Sequence, residues 1–451
     1  MWKWLGELIP ATLFALALLF IGYLAGSLTT LSDTFPAKYV RSAYQAANSL
    51  RLRQAYVNDR YSSNLWEAAR TDAAGVVRHD PAAARSGLTL YTSGDSPVAR
   101  LIDMQGRIVH EWHRPFRDIW DKTSSIAEPV REEQIYMRRA HLFPNGDLLA
   151  IYIGVGDTPW GYGMARLDAN SRVLWKHLGR FHHDLAVADD GRIYALTHQF
   201  RMRPVANQKH LRPPLLEDFL VVLSPDGKTL EEIPLVDVVA GSRFGRLLFR
   251  VFHFTTWDPL HTNAVDVLDE ESAAALRRKV PAAAPGQVLL SFRELDGGTI
   301  ALLDVERREI VWALAGAWKS QHDPDILPNG NILMFDNLGD FSVGGESRVI
   351  EVDPATGGIV WSYNGTAEDK LHSFWRSAQQ PLDNGNVLIT ESQAARLLEV
   401  TRDGRVVWEY VNPVRADGNR ERIAILSWGL RIDPATLDPA FRQRLQRNGA
   451  T

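Results

Sequence analysis

Cysteine is absent from all 451 residues, which removes disulfides, thiolate nucleophiles, cysteine zinc sites and iron–sulfur clusters in one step. The absence does not report a compartment, since an exported protein can simply lack disulfides. Charge of one sign is missing too: 50 Lys and Arg stand against 54 Asp and Glu, a net charge of −4, and no basic block stands out. Nucleic acid is therefore not an expected partner, because phosphate binding needs a clustered Lys/Arg footprint. No Gly-rich Walker loop occurs, which argues against a nucleotide donor.

What is present begins with an uncharged run from Leu8 to Ser32, about the ~20 residues that a spanning helix needs. We expect a transmembrane anchor over residues 1–32. A cleaved signal peptide is the rival reading, since Leu24-Ala25-Gly26-Ser27 offers small residues to a peptidase, but the run exceeds the ~7–15 residues of a typical signal core. Lys38, Arg41, Arg51 and Arg53 follow the run; taken alone, they place the remainder of the chain in the cytoplasm. Tyr39, Ala43, Ala46, Leu50, Ala55 and Leu65 recur at helical spacing, and residues 33–87 are expected to be a helical stalk or a cover.

From Leu88 onward the pattern changes to short β segments punctuated by Asn-Gly and Asp-Gly. Most units close on a Trp: Trp112, Trp175, Trp312, Trp361 and Trp408, the last three spaced 49 and 47 residues apart. That period suits a four-stranded propeller blade. Six units start near Leu88, Arg138, Phe181, His261, Gln321 and His372, and the third ends in Leu230–Leu235 without a Trp. The fold class expected is all-β, a six-bladed β-propeller over residues 88–434, with the Trp side chains wedged between blades. Ile425–Ile432 supplies a closing strand, and residues 435–451 form a C-terminal helix or tail.

Pro328-Asn329-Gly330 reads as a two-residue hairpin with positive-φ residues, and His322 lies seven residues before Asn329. Arg138, His183 and Ser377 stand at the same offset from Asn145-Gly146, Asp190-Gly191 and Asn384-Gly385. First strands of propeller blades line a common channel, so Arg138, His183, His261 and His322 are expected to converge, with Arg293 returning to the same mouth. Each His alone could merely cap a strand; several at one repeat position form a cationic, hydrogen-bonding cup. Three His could bind a metal, but Arg138 and Arg293 repel a cation and no carboxylate holds the repeat position. A tetrahedral oxyanion suits the cup better, so no metal and no cofactor are expected.

Three segments, His182-His183-Asp184-Leu185, His261-Thr262-Asn263 with Ser291-Phe292-Arg293, and Gln321-His322 followed by Met334–Asn337 and Ser347-Arg348, resemble the bacterial arylsulfate sulfotransferases that do not use a nucleotide donor. The resemblance covers roughly Leu88 to Val411. It implies a sulfuryl transfer from an aryl sulfate donor to a phenolic acceptor, with His322 transiently sulfated and His183, His261 and Arg293 holding the sulfuryl group. Arg138, Asn263, Asn337, Arg348 and Trp375 are expected to bind substrate. Trp160, Tyr162, Phe374 and Trp375 either stack on the aryl ring or pack between blades. The chain departs from the best-known members in its stretched His261–Arg293 spacing, its membrane helix in place of an N-terminal β domain, and its lack of a disulfide. The resemblance to exported enzymes outweighs the charge count, so the expectation is a single-pass inner-membrane protein with its propeller on the periplasmic side; a homodimer is left open. Two rivals stand beside it: a non-catalytic membrane-anchored scaffold, and, on the strength of Val352–Trp361, a quinoprotein-like dehydrogenase.

Overall fold

The long apolar run near the N-terminus forms one helix, Trp2–Leu31, in the computed structural model. Within it Thr12–Leu31, 20 residues, is long and apolar enough to cross a membrane, a test that a signal sequence also meets. The structure describes the chain apart from residues 1, 33, 37–38, 41–42, 45–46, 48–50, 52–53, 56–58, 123, 158–159, 253–254, 341–344 and 450–451. Two compact units result, Met1–Asp59 and Arg60–Thr451.

The stalk expected over 33–87 is corrected in its second half, while Ala46 and Leu50 of its periodic pattern lie outside the described residues. Trp66–Ala68 and Gly75–His79 are strands, pairing with Asn419–Ala424 and Val406–Val411. Both partners are more than 300 residues away in sequence, a tertiary pairing that a local helical period cannot reveal.

Among the described residues, Arg60–Thr451 builds seven antiparallel sheets: five of four strands, one of five and one of three. In each of the five four-stranded and the one five-stranded sheets a first strand begins the meander: Ile135–Leu142, Phe181–Val187, Thr262–Val267, His322–Ile326, Ala378–Pro381 and Leu426–Ile432. Each packs beside the next in this order, and Leu426–Ile432 also packs beside Ile135–Leu142. The Leu426–Ile432 strand pairs with Leu88–Ser93, so one sheet joins strands from the two ends of residues 88–432.

Turn chemistry differs from the expectation in one respect. Gly330 alone takes a positive φ, 81°, and the Leu327 N–H bonds to Asn331 O while the Gly330 N–H bonds to Leu327 O, both at 2.8 Å. This is a three-residue loop with Gly in the left-handed bulge position, not a two-residue primed turn, so Asn329 needs no left-handed backbone. Its side chain instead accepts from the Asn331 N–H at 2.9 Å.

Adjacent sheets are tied by the closing Trp residues. Nε1 of Trp112 donates to Gly146 O (3.0 Å), that of Trp361 to Arg402 O (2.9 Å) and that of Trp408 to Met104 O (3.0 Å), each acceptor lying in a hairpin turn of the next sheet. Trp112 and Trp408 are fully buried; truncating such an aromatic costs about 3–5 kcal/mol. Glu270–Arg277 is a helix capped by Asp269, and the terminal helix, Pro439–Gly449, lays Phe441 against Gly146, where a Cβ would meet the ring at 2.5 Å.

Candidate active site

The four first strands that carry or adjoin Arg138, His183, His261 and His322 share a defect that positions the site. Their register with the second strand breaks between Met137 and Ala140, His182 and Leu185, Thr262 and Ala264, and His322 and Asp325. Such bulges re-aim side chains and recur beside active sites. His183 and His261 sit at or beside them with φ of 53° and 46°, left-handed values that a non-Gly residue holds only when its surroundings impose them. The consequence is a split: Arg138, His183 and His322 line one cavity, and the residues that follow them, Arg139, Asp184 and Asp323, line another.

The first cavity, of about 300 Å³, is walled by Arg138, His183, His261, Arg293 and His322, together with Trp160, Trp375, Tyr136, Asn64, Asp157 and Arg376. Every residue expected to be catalytic lies there, as do Arg138 and Trp375. The other three, Asn263, Asn337 and Arg348, are not among the residues that line it. Asn263 is buried with Nδ2 donating to Gln321 O at 2.7 Å. Arg348 is held by Asp336 at 2.8 Å and donates to Ala317 O at 2.6 Å. Asn337 stands behind His322. Of the aromatics, Tyr162 is fully buried, giving its hydroxyl to Asp157 at 3.1 Å, and Phe374 does not line the cavity. Ser377 turns inward to bond Ser373 at 2.8 Å.

The histidines are in different electrostatic settings. Nδ1 of His322 meets Ser320 O at 3.1 Å and Asn337 Oδ1 at 2.7 Å. The amide orientation of Asn337 is settled by its Nδ2, which donates to Ser373 O at 2.7 Å and Arg376 O at 3.1 Å. Both neighbours of Nδ1 are thus acceptors, so this nitrogen carries the proton and Nε2 carries the lone pair. Burial first, then Arg138 and Arg293, push the His322 imidazole well below the usual histidine range. His183 is pushed down likewise, by burial and by His182 and His261. Nδ1 of His261 instead faces a carboxylate oxygen of the buried Asp258 at 2.5 Å.

Cationic donors surround these rings. Arg138 is buried and donates to Ser427 O at 2.9 Å, and Nε of Arg293 is buried with no hydrogen-bond partner among the described residues. Arg376, which sequence reasoning missed, donates to O and Oδ1 of Asn64, both at 3.0 Å. Its one signal in the sequence was adjacency to Ser377 at the repeat position. Asp258 carried none, because it lies in the irregular segment before His261.

Behind His183, Nδ1 of His182 lies 2.7 Å from Nδ1 of His183. His182, His198 and Asp218 offer one donor atom each within 4.8 Å of one another, the grouping among the described residues with the spacing of a metal site. The His182 and His198 rings stack with centroids 4.2 Å apart and planes 28° apart, and Nε2 of His198 already meets Trp160 O. The second cavity, about 210 Å³, gathers Asp184, Asp266, Asp323 and Asp325 around Arg139. Arg139 reaches Asp184 at 2.7 Å and Asp323 at 3.0 Å; burial and the neighbouring carboxylates raise Asp266 to about 7.

Comparison with known proteins adds one decisive finding. Among solved structures the chain is similar to a protein of unknown function from Bacteroides caccae, at 12% identity and a TM-score of 0.47 over 76% of this chain and 98% of that one. It is similar to the β-propeller domain of Myceliophteria thermophila Cps50 (Swd1), at 12% identity and a TM-score of 0.38 over 78% and 90%. It is likewise similar to virginiamycin B lyase from Staphylococcus aureus, at 10% identity and a TM-score of 0.38 over 77% and 88%. No match is found among curated proteins. The model of the family described as arylsulfotransferase (ASST) matches residues 139–413, a span that holds His183, His261, Arg293 and His322 and more than half of the chain. The chain belongs to the arylsulfotransferase family.

Proposed function

We propose that the protein moves a sulfuryl group from an aryl sulfate to a phenolic or other hydroxyl acceptor by two displacements at His322. The observation that carries this reading is the pair of acceptors on Nδ1 of His322, at 2.7 and 3.1 Å. They leave Nε2 as the bare, nucleophilic nitrogen in a cavity of arginines. Imidazole attacks only when neutral, and burial beside Arg138 and Arg293 favours that form.

In the first step Nε2 of His322 attacks sulfur, the sulfur–aryl oxygen bond breaks, and its electron pair leaves on the phenolate. A proton on His261 can be delivered to that oxygen, with Asp258 balancing the charge. In the second step the acceptor oxygen attacks sulfur, its proton passes back to His261, and the nitrogen–sulfur bond returns its pair to Nε2. Arg293, with an unpaired buried N–H, and Arg138 hold the sulfuryl oxygens through the loose transition state, as cationic clamps do in phosphoryl transfer. Trp160 and Trp375 flank the aryl ring. Splitting the transfer at one nucleophile predicts ping-pong kinetics.

Six of the sheets are the blades of a closed propeller, a reading supported by the cyclic packing of the six first strands. The Thr12–Leu31 helix anchors the enzyme in the inner membrane, with the propeller in the periplasm. A C-terminal alkaline phosphatase fusion should be active; an inactive fusion beside an active cytoplasmic reporter would reverse that topology. The activity itself is tested with nitrophenyl sulfate as donor and a phenol as acceptor. Release of nitrophenol that depends on acceptor and yields the new aryl sulfate supports the reading; no transfer across a panel of phenols and alcohols would refute it.

A further inference from the structure

Two segments beside the active site are rich in cations. Residues 200–214 and 241–252 together contain seven Lys and Arg and no Asp or Glu, in a protein whose net charge is −4. Arg201, Arg203 and Arg250 pair with Glu217, Asp237 and Asp296 of neighbouring segments, and Lys209, Arg243 and Arg246 are the cations that the patch offers outward. The two segments also hold a concentration of exposed large apolar side chains: Phe200 at 49%, Met202 at 73%, Phe249 at 62% and Phe252 at 59% exposure. Single exposed apolar residues need no explanation, but four on adjoining loops, interleaved with cations, do.

The two loops form one surface. Nε2 of His210 meets Leu248 O at 2.8 Å, Nε2 of Gln208 donates to Gly245 O at 3.1 Å, and the His210 ring stacks on Phe249 with centroids 4.8 Å apart. Gly245–Arg250 is a 3-10 turn that buries Gly245 and Leu248, leaving Arg246, Phe249 and Arg250 exposed. The surface also lies at the catalytic end of its sheet. His182 pairs with Leu196, and that second strand runs on to Arg201, so the 200–214 loop leaves from the end where His183 enters the cavity. The 241–252 loop leads directly to Asp258 and His261.

We propose that these loops dock on an anionic lipid bilayer, with Phe249, Phe252 and Met202 entering the interface and the exposed Lys209, Arg243 and Arg246 meeting lipid headgroups. Charge complementarity selects this occupant, and exposed Phe and Met on protruding loops suit an acyl boundary. The cavity mouth then faces the bilayer surface, where amphiphilic phenols and aryl sulfates concentrate. The docking does not depend on the sulfuryl chemistry.

The absence of cysteine allows a direct test. The full chain, carrying a single cysteine in place of Phe249 or Phe252, is labelled with a fluorophore and placed in nanodiscs containing nitroxide-tagged lipid. Matching labels at Leu174 and Val360, exposed on other strands, serve as references. The expected result is loss of fluorescence at 249 and 252 in phosphatidylglycerol-containing discs, with little loss at 174 and 360. In phosphatidylcholine discs, or with Lys209→Glu and Arg246→Glu together, the loss at 249 and 252 should weaken by ~10-fold in apparent affinity. Equal quenching at patch and reference positions overturns the proposal. So does quenching unchanged by lipid charge, or protection of the labels by duplex DNA and not by lipid, which would reassign the surface to nucleic acid. Nitrophenyl sulfate turnover is measured on the same variants, so failure of docking is separable from failure of the activity.

Discussion

The two cavities on the first strands are built from neighbouring residues and have opposite chemistry. Arg138, His183 and His322 face one; Arg139, Asp184 and Asp323 face the other. In the second, charge is compensated inside the protein: Arg139 bonds both Asp184 and Asp323, and Gln379 donates to Asp325 at 2.7 Å. In the first, arginine donors converge with an excess of positive charge, and an N–H of Arg293 has no partner among the described residues. A bulged strand thus presents consecutive residues to separate cavities, one end holding the strands together and the other, on the function proposed above, receiving an anion. Breaking each end should therefore produce different failures.

The largest effect belongs to the catalytic end. His322→Ala should abolish transfer and also lower the unfolding midpoint modestly, because the buried Asn337 Oδ1 and Ser320 O lose their partner and an unpaired buried acceptor costs about 1–3 kcal/mol. Initial rates and circular dichroism melts check both halves. Next comes the structural end. Arg139→Met leaves Asp184 and Asp323 buried without their cation, and loss of one partner from such a pair costs about 3–5 kcal/mol; urea unfolding should show it, and the folded fraction should retain its KM. Arg293→Lys replaces a planar fork with a point charge and should lower kcat/KM by ~10²–10³, or about 2.7–4 kcal/mol, with stability unchanged. Equal rates would place Arg293 outside the chemistry.

Smaller effects sharpen the electrostatics. Asn337→Asp puts a carboxylate behind His322, giving it a setting like that of His261 with Asp258. A negative neighbour favours the imidazolium, so the pKa of His322 rises and the acid limb of the pH–rate profile for the first half-reaction moves to higher pH. An unmoved limb would separate His322 from the rate-controlling ionisation. At the other end, Asp266 has a folded pKa raised to about 7, so between its unfolded pKa and 7 the native state binds more protons than the unfolded chain. Stability from this group therefore falls as pH rises through that window. Asp266→Asn should remove the penalty, raising Tm at pH 8 relative to the parent more than at pH 5.

Much of this was legible in the sequence because the repeat is written in local chemistry. Gly after Asn or Asp marks hairpin turns, Trp closes sheets, and a constant seven-residue offset pointed to Arg138, His183 and His322 before any coordinates. What stayed hidden depends on contacts between distant segments. Gly75–His79 became a fifth strand through pairing with Val406–Val411, and Asn64 reached the cavity beside Arg376, 312 residues away. Asn337 and Arg348 were expected at the substrate because they belong to the resembling segments; their hydrogen bonds to His322 and Asp336 join residues distant in sequence and could not be read there. The bulges themselves leave no mark in residue type, since they arise from register against the second strand.

The central claim is that His322 carries the sulfuryl group between the two displacements. The most direct measurement supplies an aryl sulfate without acceptor, quenches at mildly alkaline pH to preserve the nitrogen–sulfur bond, and maps the peptides by mass spectrometry. The account predicts one added sulfuryl group on the peptide containing His322, lost again on addition of a phenol and absent in His322→Ala. A sulfated peptide lacking His322, or His322→Ala releasing phenol at the parental rate, would contradict it.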